Sequence, residues 1–386
     1  MSTAMNAVGV ESQSVSIQPP ERFLFGPGPT QVDPRVYSAM SKPIVGHLDP
    51  YFFKVNENVV RMLRTVFGTK SDLTFVISGT GSAGMEAAIS NFVEPGDKVA
   101  VFANGYFCDR MAEMAKRQGG EVVRLEKPWG EVFDDADAAQ LIKRERPQVV
   151  MYVTAETSTG AFQQGKAICA AAHEVGAIVI ADCVTSLGAM PVQIDETGID
   201  VAYSCTQKGL SCPPGLAPLT VSARAVQKLD ARKTANESWY FDLKLLKDYY
   251  LNSHRYHHTA PISMFYGLHE ALTLIEEEGA ENRWERHHRA QREFVKGIEA
   301  LGLKMLVPEA HRIWNLNTPC IPEGVDDVKV RRVLMEEHGI EIMGGFGPLA
   351  GKVFRVGIMG PLATEEGVKF FLGAFEKALK AGGYKG

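Results

Sequence analysis

Short apolar runs alternate with stretches of helical spacing, and this constrains the fold more than any other feature. Leu73–Ile77, Lys98–Phe102, Gln148–Val153, Ala177–Ala181 and Val201–Ser204 are nearly continuous in hydrophobic residues. Between them, Ser82–Val93, Arg110–Arg117 and Ala167–Val175 carry apolar residues at the helical period. Strands that are apolar on both faces need cover on both faces. The expected fold class is therefore α/β, with a mostly parallel sheet flanked by helices. Pro34–Met40, after the N-cap Asp33, and Tyr51–Phe67 also read as helices.

Past about residue 260 the texture changes. Met264–Glu278 and Trp284–Leu301 are long helical stretches, followed by a helix at Val330–His338 and a strand at Val353–Ile358. The expected division is an N-terminal arm (1–22), a large domain (23–265) and a smaller C-terminal α+β domain (266–386). A chain of 386 residues with 45% hydrophobic content accommodates more than one domain.

Charge narrows the partners. The net charge is -5 and no run of Lys and Arg occurs, which argues against nucleic acid or an anionic membrane surface. No apolar stretch approaches the roughly 20 residues a bilayer span needs. Six cysteines without CxxC pairing argue against a disulfide framework or a zinc site and fit a reducing compartment. The first 20 residues are polar and read as a flexible arm, not a signal peptide. The expected location is cytoplasmic.

Four elements carry chemistry. Lys208 follows an apolar strand, with Gly209 and Pro213-Pro214-Gly215 after it. Ligands of open α/β sheets bind outside the carboxyl ends of strands. A Schiff-base lysine must lose its proton, and burial or a nearby cation lowers its pKa from about 10.4. Alone, a lysine there reads as a solvated loop charge. Asp182 ends the run Val179-Ile180-Ala181. A carboxylate there suits the pyridinium nitrogen of pyridoxal phosphate. A helix cap and a metal ligand are the other readings, and no His/Asp cluster lies nearby to support a metal.

Ser78-Gly79-Thr80-Gly81-Ser82-Ala83-Gly84 lies between a strand and a helix. Glycines let the backbone approach a phosphate, and a helix N-terminus supplies amide donors and a positive dipole end. The same spacing matches a dinucleotide fingerprint, a weak signal by itself and without an acidic residue ending the next strand. Finally, Arg355 lies inside the apolar run Val353–Val356. Its planar fork suits a substrate carboxylate or an internal salt bridge.

In this chain order, these elements resemble the fold type I enzymes that use pyridoxal phosphate. The sequence is most similar to the class V aminotransferases of the alanine–glyoxylate, serine–pyruvate and ureidoglycine–glyoxylate group. The likeness spans about residues 23–380. It rests on Gly26-Pro27-Gly28-Pro29, Ser78-Gly79-Thr80-Gly81, Glu156-Thr157-Ser158-Thr159-Gly160, Asp182, Gln207-Lys208, Tyr256-His257-His258-Thr259, Ile342-Met343-Gly344-Gly345 and Arg355-Val356-Gly357. It implies a sheet of the seven-stranded type and a homodimer with a shared site.

The resemblance also implies roles. Lys208 bonds the cofactor and then moves the Cα proton, while Asp182 pairs with the pyridinium nitrogen. Thr157 faces the ring hydroxyl and Phe107 stacks on the ring, although Phe107 also reads as plain core. Thr80, Gly81, Ser82 and Gln207 hold the phosphate, and Tyr256 and Thr259 reach it from the other subunit. Arg355, Gly28 and His47 form the substrate site, where His47 either reads a polar side chain or fills space. His257 and His258 read as structural.

The implied reaction is ping-pong transfer of the amino group of alanine or serine to glyoxylate or pyruvate. The alternative is (S)-ureidoglycine–glyoxylate transamination. Each branch departs somewhere. The mammalian alanine–glyoxylate branch usually has His at Ser82 and Trp at Phe107. The ureidoglycine branch has Asn at Tyr256 and Gln at His47, although Ile44-Val45-Gly46 and Phe346-Gly347-Pro348-Leu349-Ala350-Gly351 look like that branch. A cysteine desulfurase needs a reactive late cysteine. Cys320 is the only candidate, and Asn317–Ile321 reads as the start of a strand. A non-catalytic relative is disfavoured by the intact Lys208, Asp182 and Arg355.

Overall fold

Six parallel strands and one opposed strand form the central sheet. In the computed structural model, which describes residues 17–386, these strands are β1 (Leu73–Ser78), β2 (Lys98–Ala103), β3 (Glu121–Glu126), β4 (Val149–Val153), β5 (Ile178–Asp182), β6 (Val201–Tyr203) and β7 (Leu216–Val221). Their spatial order is β1-β7-β6-β5-β4-β2-β3. Residues 1–16 of the expected arm lie outside the described residues.

Strands β4, β5, β6 and β7 are buried along their whole length, as their apolar runs require. The expected helices are present as Pro34–Met40, Pro50–Phe67, Gly81–Phe92, Tyr106–Arg117 and Lys166–Glu174.

Two strands were not legible in the sequence. Strand β3 is at the sheet edge, pairs with β2, and carries Glu121, Arg124 and Glu126 among its apolar residues. Strand β7 runs antiparallel between β1 and β6 and contains Pro218. A proline argues against a central strand because it donates nothing to the ladder. Here it serves as an acceptor: Ser204 N donates to Pro218 O at 2.8 Å.

Two hydrophobic cores are distinct. The larger surrounds the seven-stranded sheet and continues through Ile275 on the helix Ile262–Glu278, which straddles the expected junction at 265/266. The smaller unites Phe25 with residues from Ala290 to Leu379. It is built from the helices Ala280–Ala300, Asp327–His338 and Glu365–Ala381. These accompany the antiparallel strands β8 (Leu316–Asn317), β9 (Met343–Gly344) and β10 (Phe354–Gly357), ordered β8-β10-β9. Beyond β8, Cys320 makes only an isolated bridge to Val353, so the expected strand start at Asn317–Ile321 is not continuous. Among the described residues, no helix is long and apolar enough to cross a membrane.

Candidate active site

Because β1, β2, β4, β5 and β6 are parallel, the loops that follow Ser78, Ala103, Val153, Asp182 and Tyr203 all leave the same edge of the sheet. That edge collects most of the expected site residues.

The turn after β1 is built for close approach. Gly79 has φ +147°, and a Cβ there would lie 2.6 Å from that of Ala83. Thr80 then caps the helix Gly81–Phe92 through its carbonyl, which accepts from Ala83 N at 2.8 Å and Gly84 N at 3.3 Å; its hydroxyl makes no cap bond, and among the described residues the amides of Gly81 and Ser82 have no acceptor. A Cβ on Gly81 would lie 3.1 Å from both Cys205 Cβ and Val184 Cγ2, which brings this helix end against the loops after β5 and β6. Arg110 Nη1 donates to Ser82 Oγ at 2.8 Å and orients that hydroxyl. Gln207 Oε1 is buried without a hydrogen-bond partner.

Asp182 and Tyr203 are paired in register on β5 and β6. Asp182 Oδ1 accepts from Val184 N at 2.8 Å and Oδ2 accepts from the Tyr203 hydroxyl at 2.8 Å. Burial pushes the Asp182 carboxyl up to about 6, against the pull of these two bonds. No ion pair to Asp182 occurs among the described residues. Lys208 is also buried, and burial lowers its ammonium pKa. Its Nζ donates to Pro27 O. Gly28, at φ +119°, leaves the space this lysine uses: a Cβ there would stand 3.2 Å from Lys208 Cγ and 3.3 Å from Nζ.

Glu156 organises the loop after β4. It is fully buried, and burial raises its pKa. Oε1 accepts from Ser158 N at 3.0 Å and Ser158 Oγ at 2.6 Å, while Oε2 accepts from Phe107 N at 3.1 Å. The helix Tyr106–Arg117 thus takes its cap from a distant carboxylate, because Gly105 at the cap position has no side chain. Phe107 is held at the start of that helix with the Arg110 guanidinium 4.9 Å from its ring centroid. The hydroxyls of Thr157 and Thr185 are hydrogen-bonded to each other.

Arg355 comes from the smaller core. On β10 it stands opposite Met343, its Nε donates to Gly344 O at 2.9 Å, and its guanidinium lies 4.2 Å from the Phe346 ring centroid. Burial lowers its pKa to about 10. Among the described residues no carboxylate forms an ion pair with it, so the internal salt bridge weighed from the sequence is not made. After burial, the charge of Arg355 is among the causes that lower the Lys208 pKa, which places the two cations within electrostatic reach.

Among the described residues His47, Tyr256 and Thr259 make no hydrogen bond to this set. The His47 and Tyr256 rings are 5.0 Å apart, and Tyr256 and Thr259 are exposed. The histidines between them anchor the loop. His258 Nε2 bonds Ser78 Oγ at 2.7 Å, the Nδ1 atoms of His257 and His258 are 2.8 Å apart, and His257 stacks on Trp239. The thiol of Cys320 is pushed up by burial, the opposite of activation.

Three contributors were not singled out in the sequence: Tyr203, Thr185 and Arg110. Each acts through a contact between distant segments. Phe346 and Glu156 appeared only within motifs. The signal for Glu156 was a carboxylate placed just after an apolar strand, the same signal that marked Asp182.

The chain is similar to known proteins along most of its length. The Aminotransferase class-V family profile matches residues 22–370. A (S)-ureidoglycine–glyoxylate transaminase from Bacillus subtilis (strain 168) is 39% identical across 93% of this chain and 91% of its own length. An alanine–glyoxylate aminotransferase from Callithrix jacchus is 35% identical across 94% of this chain and 88% of its own length. The crystal structure of an alanine–glyoxylate aminotransferase from Nostoc sp. superposes with a TM-score of 0.94, at 45% identity, over 95% of this chain and 97% of that one.

The residues fit a phosphorylated pyridine. A helix start with the amides of Gly81 and Ser82 unclaimed among the described residues suits its phosphate, the buried carboxylate Asp182 suits its ring nitrogen, and the buried Lys208 suits a carbonyl carbon. The chain therefore belongs to the class V aminotransferase family, and its cofactor is pyridoxal phosphate.

Proposed function

We propose that this enzyme moves the amino group of a small amino acid, alanine or serine, to glyoxylate or pyruvate in two half-reactions. The observation that carries this reading is Arg355, a buried guanidinium without an ion-pair partner among the described residues, held within electrostatic reach of a buried lysine. Both donor and acceptor carry a carboxylate beside the reacting carbon, and one arginine serves both.

Bound pyridoxal phosphate supplies an electron sink for the carbanion at Cα and carries the amino group between the two half-reactions. The protein supplies the rest. Lys208 Nζ, kept toward its neutral form by burial, takes the Cα proton and returns it. Asp182 keeps the ring nitrogen protonated. Thr80, Gly81, Ser82 and Gln207 hold the phosphate, Thr157 meets the ring hydroxyl and Phe107 covers a ring face. The Nη atoms of Arg355 bind the substrate carboxylate beside Gly28. In a homodimer, the exposed Tyr256 and Thr259 reach the phosphate of the second copy, and His47 joins that shared rim. Six free cysteines suit the cytoplasm.

Ureidoglycine is the second candidate donor, favoured by the likeness to the Bacillus subtilis enzyme. The test is the visible spectrum of the cofactor-loaded protein with each donor. Bleaching by alanine or serine, and recovery with glyoxylate or pyruvate, supports the first reading. Bleaching by ureidoglycine alone replaces it with the second. No visible cofactor band after loading rejects both.

A further inference from the structure

We propose that Phe346 is a positioning residue for the substrate: its ring fixes the Arg355 guanidinium in the orientation that receives the carboxylate. The inference rests on the proposed role of Arg355 as carboxylate ligand.

The turn between β9 and β10 is built to place this ring. Gly345 N donates to Val353 O at 2.9 Å, and a Cβ on Gly345 would lie 2.1 Å from Leu349 O, so only glycine permits the tight return. Phe346 follows and lies over the guanidinium at 4.2 Å. Two rings of the larger domain support it from another direction. The Tyr106 ring meets it edge-on at 4.9 Å and 81°, and that of Trp129 does so at 6.3 Å and 89°. Gly347, at φ +56°, keeps the next residue clear of Trp129, whose Cη2 would lie 3.0 Å from a Cβ.

Among the described residues Arg355 otherwise has one hydrogen bond, from Nε to Gly344 O, which sets one edge of the fork. That single bond leaves the guanidinium plane free to turn. The face of an aromatic ring attracts a guanidinium and removes that freedom, at no cost to the donors on the Nη atoms. Ordering the fork before the substrate arrives strengthens binding, because less freedom is lost on association. Phe346 is thus absent from the reacting atoms and present in the affinity for every carboxylate substrate.

The experiment compares cofactor-loaded wild type, Phe346→Leu and Phe346→Tyr. It measures steady-state kinetics with alanine and glyoxylate, and the calorimetric Kd for glyoxylate alone. Loss of a partly desolvated cation–π contact is expected to raise both KM values and the Kd by about five- to thirty-fold in the Leu variant. Its kcat and cofactor spectrum should match wild type, and the Tyr variant should bind like wild type. Unchanged KM and Kd in Phe346→Leu overturn the proposal, as does a fall in kcat alone or a Tyr variant as impaired as Leu. If the wild type binds glyoxylate but transfers no amino group, the proposed function fails, and the ratio of Kd values still decides the role of Phe346.

Discussion

Tyr203 donates its phenol to Asp182 Oδ2 at 2.8 Å, across neighbouring parallel strands paired at these two residues. The bond favours the ionised carboxylate, which burial opposes. Removing the donor by Tyr203→Phe raises the Asp182 pKa further above about 6. A carboxyl with a raised pKa loses its charge as pH falls through that value, and the charge is what holds the ring nitrogen protonated. The acid limb of the kcat profile should therefore move up by about one pH unit. Activity should fall more at pH 6 than at pH 8. An unmoved limb, measured from pH 5 to 9, contradicts this role for Tyr203.

Lys208→Ala should lower turnover by at least about 10²–10⁴-fold, the usual weight of a positioned acid–base group. Far-UV circular dichroism should remain that of the wild type, since the lysine makes no ion pair among the described residues. Transamination retained at the wild-type rate would remove Lys208 from the chemistry.

Gly28→Ala tests the space beside Lys208. At φ +119° an L side chain is strained, and its Cβ would crowd Lys208 Cγ at 3.2 Å. A loss of about 1–3 kcal/mol in stability is expected. The visible absorbance of the cofactor should also shift, because Lys208 is displaced. Denaturant unfolding and absorbance together decide the matter, and a variant equal to wild type in both contradicts the packing.

The histidine pair predicts an acid-labile loop. Burial depresses the His258 pKa to about 4, and its neighbour His257 is depressed as well. Their Nδ1–Nδ1 bond requires one ring to accept, which a doubly protonated pair cannot satisfy. Between about pH 6.5 and pH 4 the unfolded chain binds more protons than the folded one. Stability from this pair is therefore full above about pH 6.5 and is lost as pH falls toward 4. Thermal melts should show a steeper fall in Tm over that range for wild type than for His258→Asn. Parallel curves would show that the pair carries no linkage.

The alternation of apolar strands and helices determined the class of fold, because a strand apolar on both faces has no stable place except a covered sheet. The chain order of Gly79-Thr80-Gly81, Asp182, Lys208 and Arg355 was legible for the same local reason: each lies where a strand or turn visibly stops or where a charge interrupts an apolar run. The edge strand β3 and the opposed strand β7 were not legible, since the charged residues Glu121, Arg124 and Glu126 interrupt the first and Pro218 masks the second. The helix Ile262–Glu278 was legible as a helix, but its packing into the larger core was not, since that depends on what faces it.

The chain's order of residues thus determined by itself which groups are available: a lysine, a carboxylate, a glycine-rich helix start and an arginine. Only the tertiary structure decided what each can do. Burial sets the protonation of Asp182 and Lys208, and register brings Tyr203 to Asp182. Contacts with Tyr106 and Trp129 hold Phe346 over Arg355, and among the described residues no carboxylate pairs with that fork. These effects depend on distance and on exclusion of water, and both arise only when residues far apart in the chain are brought together.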